Sequence, residues 1–208
     1  MGLSDAGKAG VALFVGVVQF ALFEMIAEFV YPGYSVSANY ISDLGPPCSN
    51  GVACPSQTSW YIFDSSVIFM GLCILLSAYF LYRYFRWKPF TALVGLAGIG
   101  AVGLGVFNET APFMLHDLFS LLTFLGIGLT ALLSYRLQKQ PLGYFAIVLG
   151  LLTLISLVLY IPDTGTSIGG NLGIGPGGLE RLIVYPVLFW SVAFSGHLMA
   201  MGEPKAQP

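Results

Sequence analysis

Apolar residues fill six stretches of the chain, at about 9 to 30, 60 to 82, 90 to 108, 113 to 135, 143 to 161 and 181 to 201, and polar positions gather in the connections. Each stretch approaches the roughly 20 residues that an α-helix needs to cross a hydrocarbon core about 30 Å thick. The pattern predicts an all-α integral membrane protein: a single six-transmembrane-helix bundle, one domain spanning 1–208. Two connections, 83–89 and 136–141, are short and basic and read as simple turns. The other long ones, 31–59 and 162–179, are rich in Gly, Pro, Ser and Asn, and loops of that kind tend to carry binding residues.

Composition agrees with the pattern. At 56% hydrophobic residues, 9% charged residues and a mean hydropathy of +0.82, the chain cannot present an ordinary polar surface to water. The net charge of -2 gives no ground for a nucleic-acid partner.

Charge sorts by side. Lys8 precedes the first span, Arg83, Arg86 and Lys88 follow the second, Arg136 and Lys139 follow the fourth, and Lys205 follows the sixth. The positive-inside rule then places both termini in the cytoplasm of a multi-pass plasma-membrane protein. The first apolar run is too long for the core of a signal peptide, and no small-x-small site follows it, so cleavage is not expected. Cys48 and Cys54 fall in the first outer loop around an Asn50-Gly51 turn signal, where they can form a disulfide or remain two free thiols, while Cys73 sits inside the second span.

The opposite side holds most of the acidic residues and the candidate chemistry. Glu24 and Glu28 lie four apart on one face near the end of the first span, and Asp64 lies about one turn into the second. Carboxylates in a membrane helix cost roughly 2.5 to 3.5 kcal/mol near its centre, so they should face the bundle or water. For Glu24 and Asp64 that means a polar pocket or hydrogen bonds between helices, while Glu28 reads as interfacial. Between the third and fourth spans, Asn108-Glu109-Thr110 leads through Pro112 to His116 and Asp117. A single His among carboxylates suits a general base, a proton relay or one ligand of an oxygen-rich metal site, and equally a bridge between helices. Asn108-Glu109-Thr110 is a sequon too close to the membrane to serve as a glycan acceptor.

The third span carries Gly95, Gly98, Gly100, Gly103 and Gly105 among alanines, with Ala97, Ala101 and Gly105 on one face. Small residues so spaced allow close helix approach in lipid and predict a central place in the bundle. Pro186 should kink the sixth span. The last outer loop ends in Gly173, Gly175 and Gly178, spaced as G-x-G-x-x-G, but no strand precedes them and dinucleotide binding is excluded. What remains is a glycine loop feeding a helix start with Arg181 beside it. That arrangement can hold a phosphate or carboxylate, or Arg181 can pair with Asp43, Asp64 or Glu109.

Other chemistries fail on count or distance. The two histidines, His116 and His197, fall near opposite ends of their spans, too far apart for an intramolecular bis-His haem. A three-His zinc site needs more histidines than the chain has, and no G-x-S-x-G or one-sided Cys/His pair supports covalent catalysis. No cofactor and no metal are expected.

A first span running into YPGYSVSANYISDLG (Tyr31 to Gly45), a third span running into GVFNE and a turn to His116, and a Gly-rich stretch into Glu180-Arg181 resemble the bacterial and archaeal six-span membrane family catalogued as domain of unknown function 998. The resemblance implies a six-helix bundle and no established reaction. Asn39, Ser42, Asp43, His116, Glu180 and Arg181 are the positions that match its polar signature.

Three functions stay open. The first is a protein whose outward pocket, built from Glu24, Asn39, Asp43, Asp64, Glu109, His116 and Arg181, binds a lipid head group or small polar ligand. The second is a lipid-modifying enzyme using that pocket, with His116 as base and Arg181 as anion clamp. The third is an accessory subunit whose partners are other membrane protein subunits.

Overall fold

The computed structural model describes residues 2–45, 57–160 and 170–201. They form six long helices: α1 (Asp5–Val30), α2 (Gln57–Phe85), α3 (Lys88–Val106), α4 (Leu115–Ser134), α5 (Leu142–Tyr160) and α6 (Gly175–Met201). All six are long and apolar enough to cross a bilayer. Short 3₁₀ turns at Ser42–Leu44, Pro112–Met114, Tyr135–Leu137 and Gly170–Gly173 punctuate the connections.

Local chemistry sets the ends. Ser4 caps α1 by accepting from the Gly7 amide at 3.1 Å, with Asp5 in the first turn. α3 starts on Lys88-Pro89, just after Arg86 turns the chain with φ of 55°. Before α4, Phe113 and Met114 adopt φ of 63° and 54°, strained values for residues that carry a Cβ.

Five helices match the hydrophobic stretches to within a few residues. The sixth differs, for α6 begins at Gly175 and takes in the glycines read as loop. The reason is tertiary. The Gly177 amide donates to the Ser37 carbonyl at 3.1 Å, and a Cβ at Gly177 would collide with the Asn39 carbonyl and come within 2.5 Å of the Val36 carbonyl oxygen. Glycine is needed there so that the helix start can lie directly on the first loop.

Consecutive helices pack against one another, α6 closes on α1, and α4 reaches α6 across the middle. The result is a ring around a central space. α3 therefore sits in the wall of the ring and not at the centre that its small residues predict. Gly98 and Gly105 face α2 while Gly100 and Gly103 face α4, and a Cβ at Gly105 would stand 2.7 Å from the Asp64 carbonyl oxygen of α2. Ala97 and Ala101 are fully buried. The core at the far end is aromatic: Phe194 stacks on Trp190 at 5.2 Å and meets Phe90 edge-on at 6.0 Å. Cys48 and Cys54 lie outside the described residues, and Cys73 is a half-buried free thiol.

Candidate functional site

The end of the bundle where α1 stops and α6 starts is closed by the first loop, which folds inward. Tyr31 ends α1, and Asn39 then organises the turn. Its Oδ1 accepts from the Ser35 amide at 3.0 Å, and its Nδ2 donates to Asp43 Oδ2 at 3.0 Å. Asp43 Oδ2 also accepts from the Tyr40 amide at 2.9 Å. Asn39 and Asp43 thus shape the loop, and the hydrogen bonds of their side chains end within it. The following turn drives Ile41, Ser42 and Leu44 into the bundle, where all three are buried. The Glu180 carboxylate on α6 receives the amides of Ile41 and Ser42. A carboxylate held by backbone donors is a strong tie across a long sequence separation.

Arg181 is the second tie. Its guanidinium donates to the carbonyls of Val36 at 2.9 Å and Gly177 at 3.0 Å, to the Tyr34 hydroxyl at 2.8 Å, and to Glu28, with which it forms an ion pair. The Tyr34 ring lies under the guanidinium at 5.6 Å, and its hydroxyl donates onward to the Tyr40 carbonyl at 2.8 Å. The sequence pointed to Asp43, Asp64 or Glu109 as partner. The structure corrects this to Glu28, because the face of α1 that carries Glu28 meets the start of α6. Arg181 therefore spends both amino groups of its fork on the loop, on Glu28 of α1 and on the α6 backbone, which leaves the anion clamp without the free fork it would need.

Beneath the buried turn runs a cavity between α1, α2, α3, α4 and α6. Its volume is about 80 Å³. That is several times the roughly 10–15 Å³ that one water requires. His116, Ser42 and Glu180 stand at one end. Ile127 on α4, Ile74 on α2 and Ser191 on α6 stand at the other, each eleven residues from His116, Phe63 and Glu180 respectively. At 1.5 Å per residue the cavity is therefore about 16 Å deep. Apart from Ser120, Thr123 and Ser191 its deeper walls are apolar.

His116 has a defined tautomer. Its Nδ1 lies 3.1 Å from the Phe107 carbonyl, and a carbonyl only accepts, so Nδ1 carries the proton. Nε2 is left without a hydrogen bond among the described residues, and in the neutral ring it is the acceptor. Phe107 is fixed by stacking on Phe119 at 5.3 Å. Glu109 faces the same end. Although Glu109 is exposed by surface area, the crowding of neighbouring atoms partly desolvates its carboxyl and pushes it above the usual carboxylate range, Ser42 pulls the other way, and Asp43 adds to the rise.

Of the seven residues assembled from the sequence, His116 lines the cavity and Glu109 stands near its mouth; the others lie elsewhere. Asp64 accepts from the Trp60 indole at 2.6 Å and faces Asn108. Glu24 lies in a separate groove between α1 and α6, bonded to the Tyr185 hydroxyl at 3.0 Å. Sequence reading missed Glu28 as the partner of Arg181, Tyr34 as its platform and the small hydroxyl residues of the cavity wall. Nothing in the spacing marks those, because they meet across distant segments.

The family model described as protein of unknown function, DUF998, matches residues 14–197. No curated protein and no solved structure matches the chain.

Proposed function

The chain belongs to the DUF998 family, whose function is unknown, and from that premise we propose that it binds a single-chain amphiphile with an uncharged, hydrogen-bond-donating head. The carrying observation is the lining of the cavity, apolar over a depth of about 16 Å and polar at the His116 end. An apolar void gains little from water, whereas each methylene buried in it is worth about 0.8 kcal/mol. A hydroxyl head at the mouth meets acceptors: His116 Nε2 and the carboxyl groups of Glu109 and Glu180. An anionic head meets the same carboxylates and no free guanidinium, since Arg181 is held by Glu28. In this reading the mouth faces outward and the ligand comes from the lipid around it.

The test is retention of 1-dodecanol against dodecanoate by the purified protein, followed by native mass spectrometry. Dodecanol should be retained and dodecanoate should not. Ser120→Phe, one turn below His116 in the cavity neck, should abolish retention. Preference for dodecanoate, or equal retention by Ser120→Phe and the parent, would sink the reading.

A lipid-modifying role shares this geometry, because the Phe107 carbonyl orients His116 and leaves Nε2 as a base beside a bound hydroxyl. His116→Gln that still retains dodecanol but loses turnover of a hydroxyl lipid would favour that reading.

A further inference from the structure

Two hollows of the bundle share a wall. A groove of about 290 Å³ runs along the outer face between α1 and α6, and its rim residues Leu22, Met25 and Phe189 are exposed, so in a bilayer they meet lipid chains. Val17 of α1 and Leu188 of α6 line this groove and line the central cavity as well. They are only 2% and 8% exposed, so the partition is shut in this structure. Both are aliphatic, and no hydrogen bond of their side chains has to break for them to part.

The seam between α1 and α6 is held on either side of that partition. Toward the first loop, Arg181 pairs with Glu28, and the Tyr185 hydroxyl donates to Glu24 at 3.0 Å. Toward the other end the helices approach closely, for a Cβ at Gly10 would stand 2.6 Å from the Ser195 carbonyl oxygen and 2.8 Å from Met199 Cγ. Between these ties the two helices meet through apolar side chains. The backbone of α6 is also weakest here. Pro186 has no amide to give to the Leu182 carbonyl, so the helix lacks one bond two residues before Leu188. Thr153 of α5 anchors the turn ahead of it by donating to the Ile183 carbonyl at 2.8 Å. The segment carrying Leu188 can therefore rock about Pro186 while the turn before it stays fixed.

We propose that the α1/α6 groove is the loading site of the central cavity: the alkyl chain of a bilayer amphiphile seats in the groove and passes sideways between Val17 and Leu188, without travelling through the mouth beneath the first loop. The head follows at the level of Glu24 and Tyr185, whose hydrogen bond opens to let it by. The proposal rests on the reading of the cavity as an amphiphile site and adds the route by which that site fills.

The experiment places a thiol inside the cavity, so that it does not depend on the ligand. Ser191 lines the cavity on α6 and is 2% exposed. Ser191→Cys, in the full chain held in lipid nanodiscs, is treated with butyl methanethiosulfonate, and peptide mapping follows the label at 191. Added to that background, Val17→Ala and Leu188→Ala, one on each side of the partition, should each speed labelling roughly tenfold, equivalent to about 1.4 kcal/mol off the barrier. Tyr185→Phe, which removes the tie to Glu24, should speed it several-fold. Ile127→Ala widens the cavity on α4, away from the groove, and should stay within about twofold of the background. Ser120→Phe fills the neck below the mouth and should leave the rate within the same range, since entry is from the side. Equal acceleration by Ile127→Ala and Leu188→Ala, or loss of labelling in Ser120→Phe, would overturn the proposal. If Leu188→Ala does not fold, an unchanged rate in Val17→Ala does so instead. Dodecanol retention is read on the parent in parallel. Labelling that responds to the partition without dodecanol retention strikes only the reading of the cavity, and retention without that response strikes only the loading route.

Discussion

The two ends of the bundle treat charge in opposite ways. At the end bearing Lys8 and Arg83, ion pairs are short-range or exposed: Lys8 pairs with Asp5 three residues away, and Arg83 reaches Asp5 at 2.9 Å with half its side chain in the open. At the end bearing His116, Glu28, Glu180 and Arg181 join segments roughly 140 to 150 residues apart in partly or wholly buried contacts. One end decorates its surface, and the other uses charge to fold a loop over a cavity. Similar residue types therefore differ in worth by what surrounds them: exposed pairs contribute about 0 to 1 kcal/mol, whereas stranding one partner of a buried pair costs about 3 to 5 kcal/mol.

The sharpest way to break this comparison is to remove one arginine from each end. Arg181→Ala should destabilise the protein by about 3 to 5 kcal/mol and free the loop over the cavity, while Arg83→Ala should cost about 1 kcal/mol or less. Thermal unfolding in one detergent compares them directly. Equal losses would mean that burial at the Arg181 end does not matter.

A smaller effect is expected at the contact between helix and loop. Gly177→Ala places a Cβ against the carbonyls of Asn39 and Val36, and overpacking of this kind costs roughly 1 to 3 kcal/mol. Limited proteolysis within 31–45 should speed up in that variant. An unchanged cleavage rate would show that the loop does not depend on the close approach.

The smallest effect is one of pH. Partial desolvation raises the Glu109 carboxyl in the folded state, so the folded protein holds that proton more tightly than the unfolded chain does. The stability it contributes is complete at acid pH and is lost as pH climbs through the raised value. Glu109→Gln should accordingly gain stability relative to the parent as pH rises from the ordinary carboxylate range toward neutrality. A difference that is flat with pH, or that shrinks, would show that the Glu109 carboxyl is not desolvated in the folded protein.

The six helices were legible from the chain because crossing hydrocarbon demands about 20 apolar residues in a row, a requirement that each segment meets without help from the others. The opening of α6 through Gly175-Pro176-Gly177-Gly178 was not, since those residues read as loop until the first loop is laid across them. The site divides in the same manner. His116 could be singled out as a neutral-range base from its type and place alone. Its tautomer depends on the Phe107 carbonyl, and the partner of Arg181 depends on which face of α1 meets α6.

By itself, then, the sequence determined the number of helices, their lengths and the end at which the polar residues gather, since hydropathy and charge act locally along the chain. Only the tertiary structure decided that Glu24 and His116 serve different hollows, that Glu28 claims Arg181, and that Ser42 is carried into the bundle. Those outcomes depend on the rotation of each helix about its axis and on how the ring closes, which are set by packing between segments far apart in the chain.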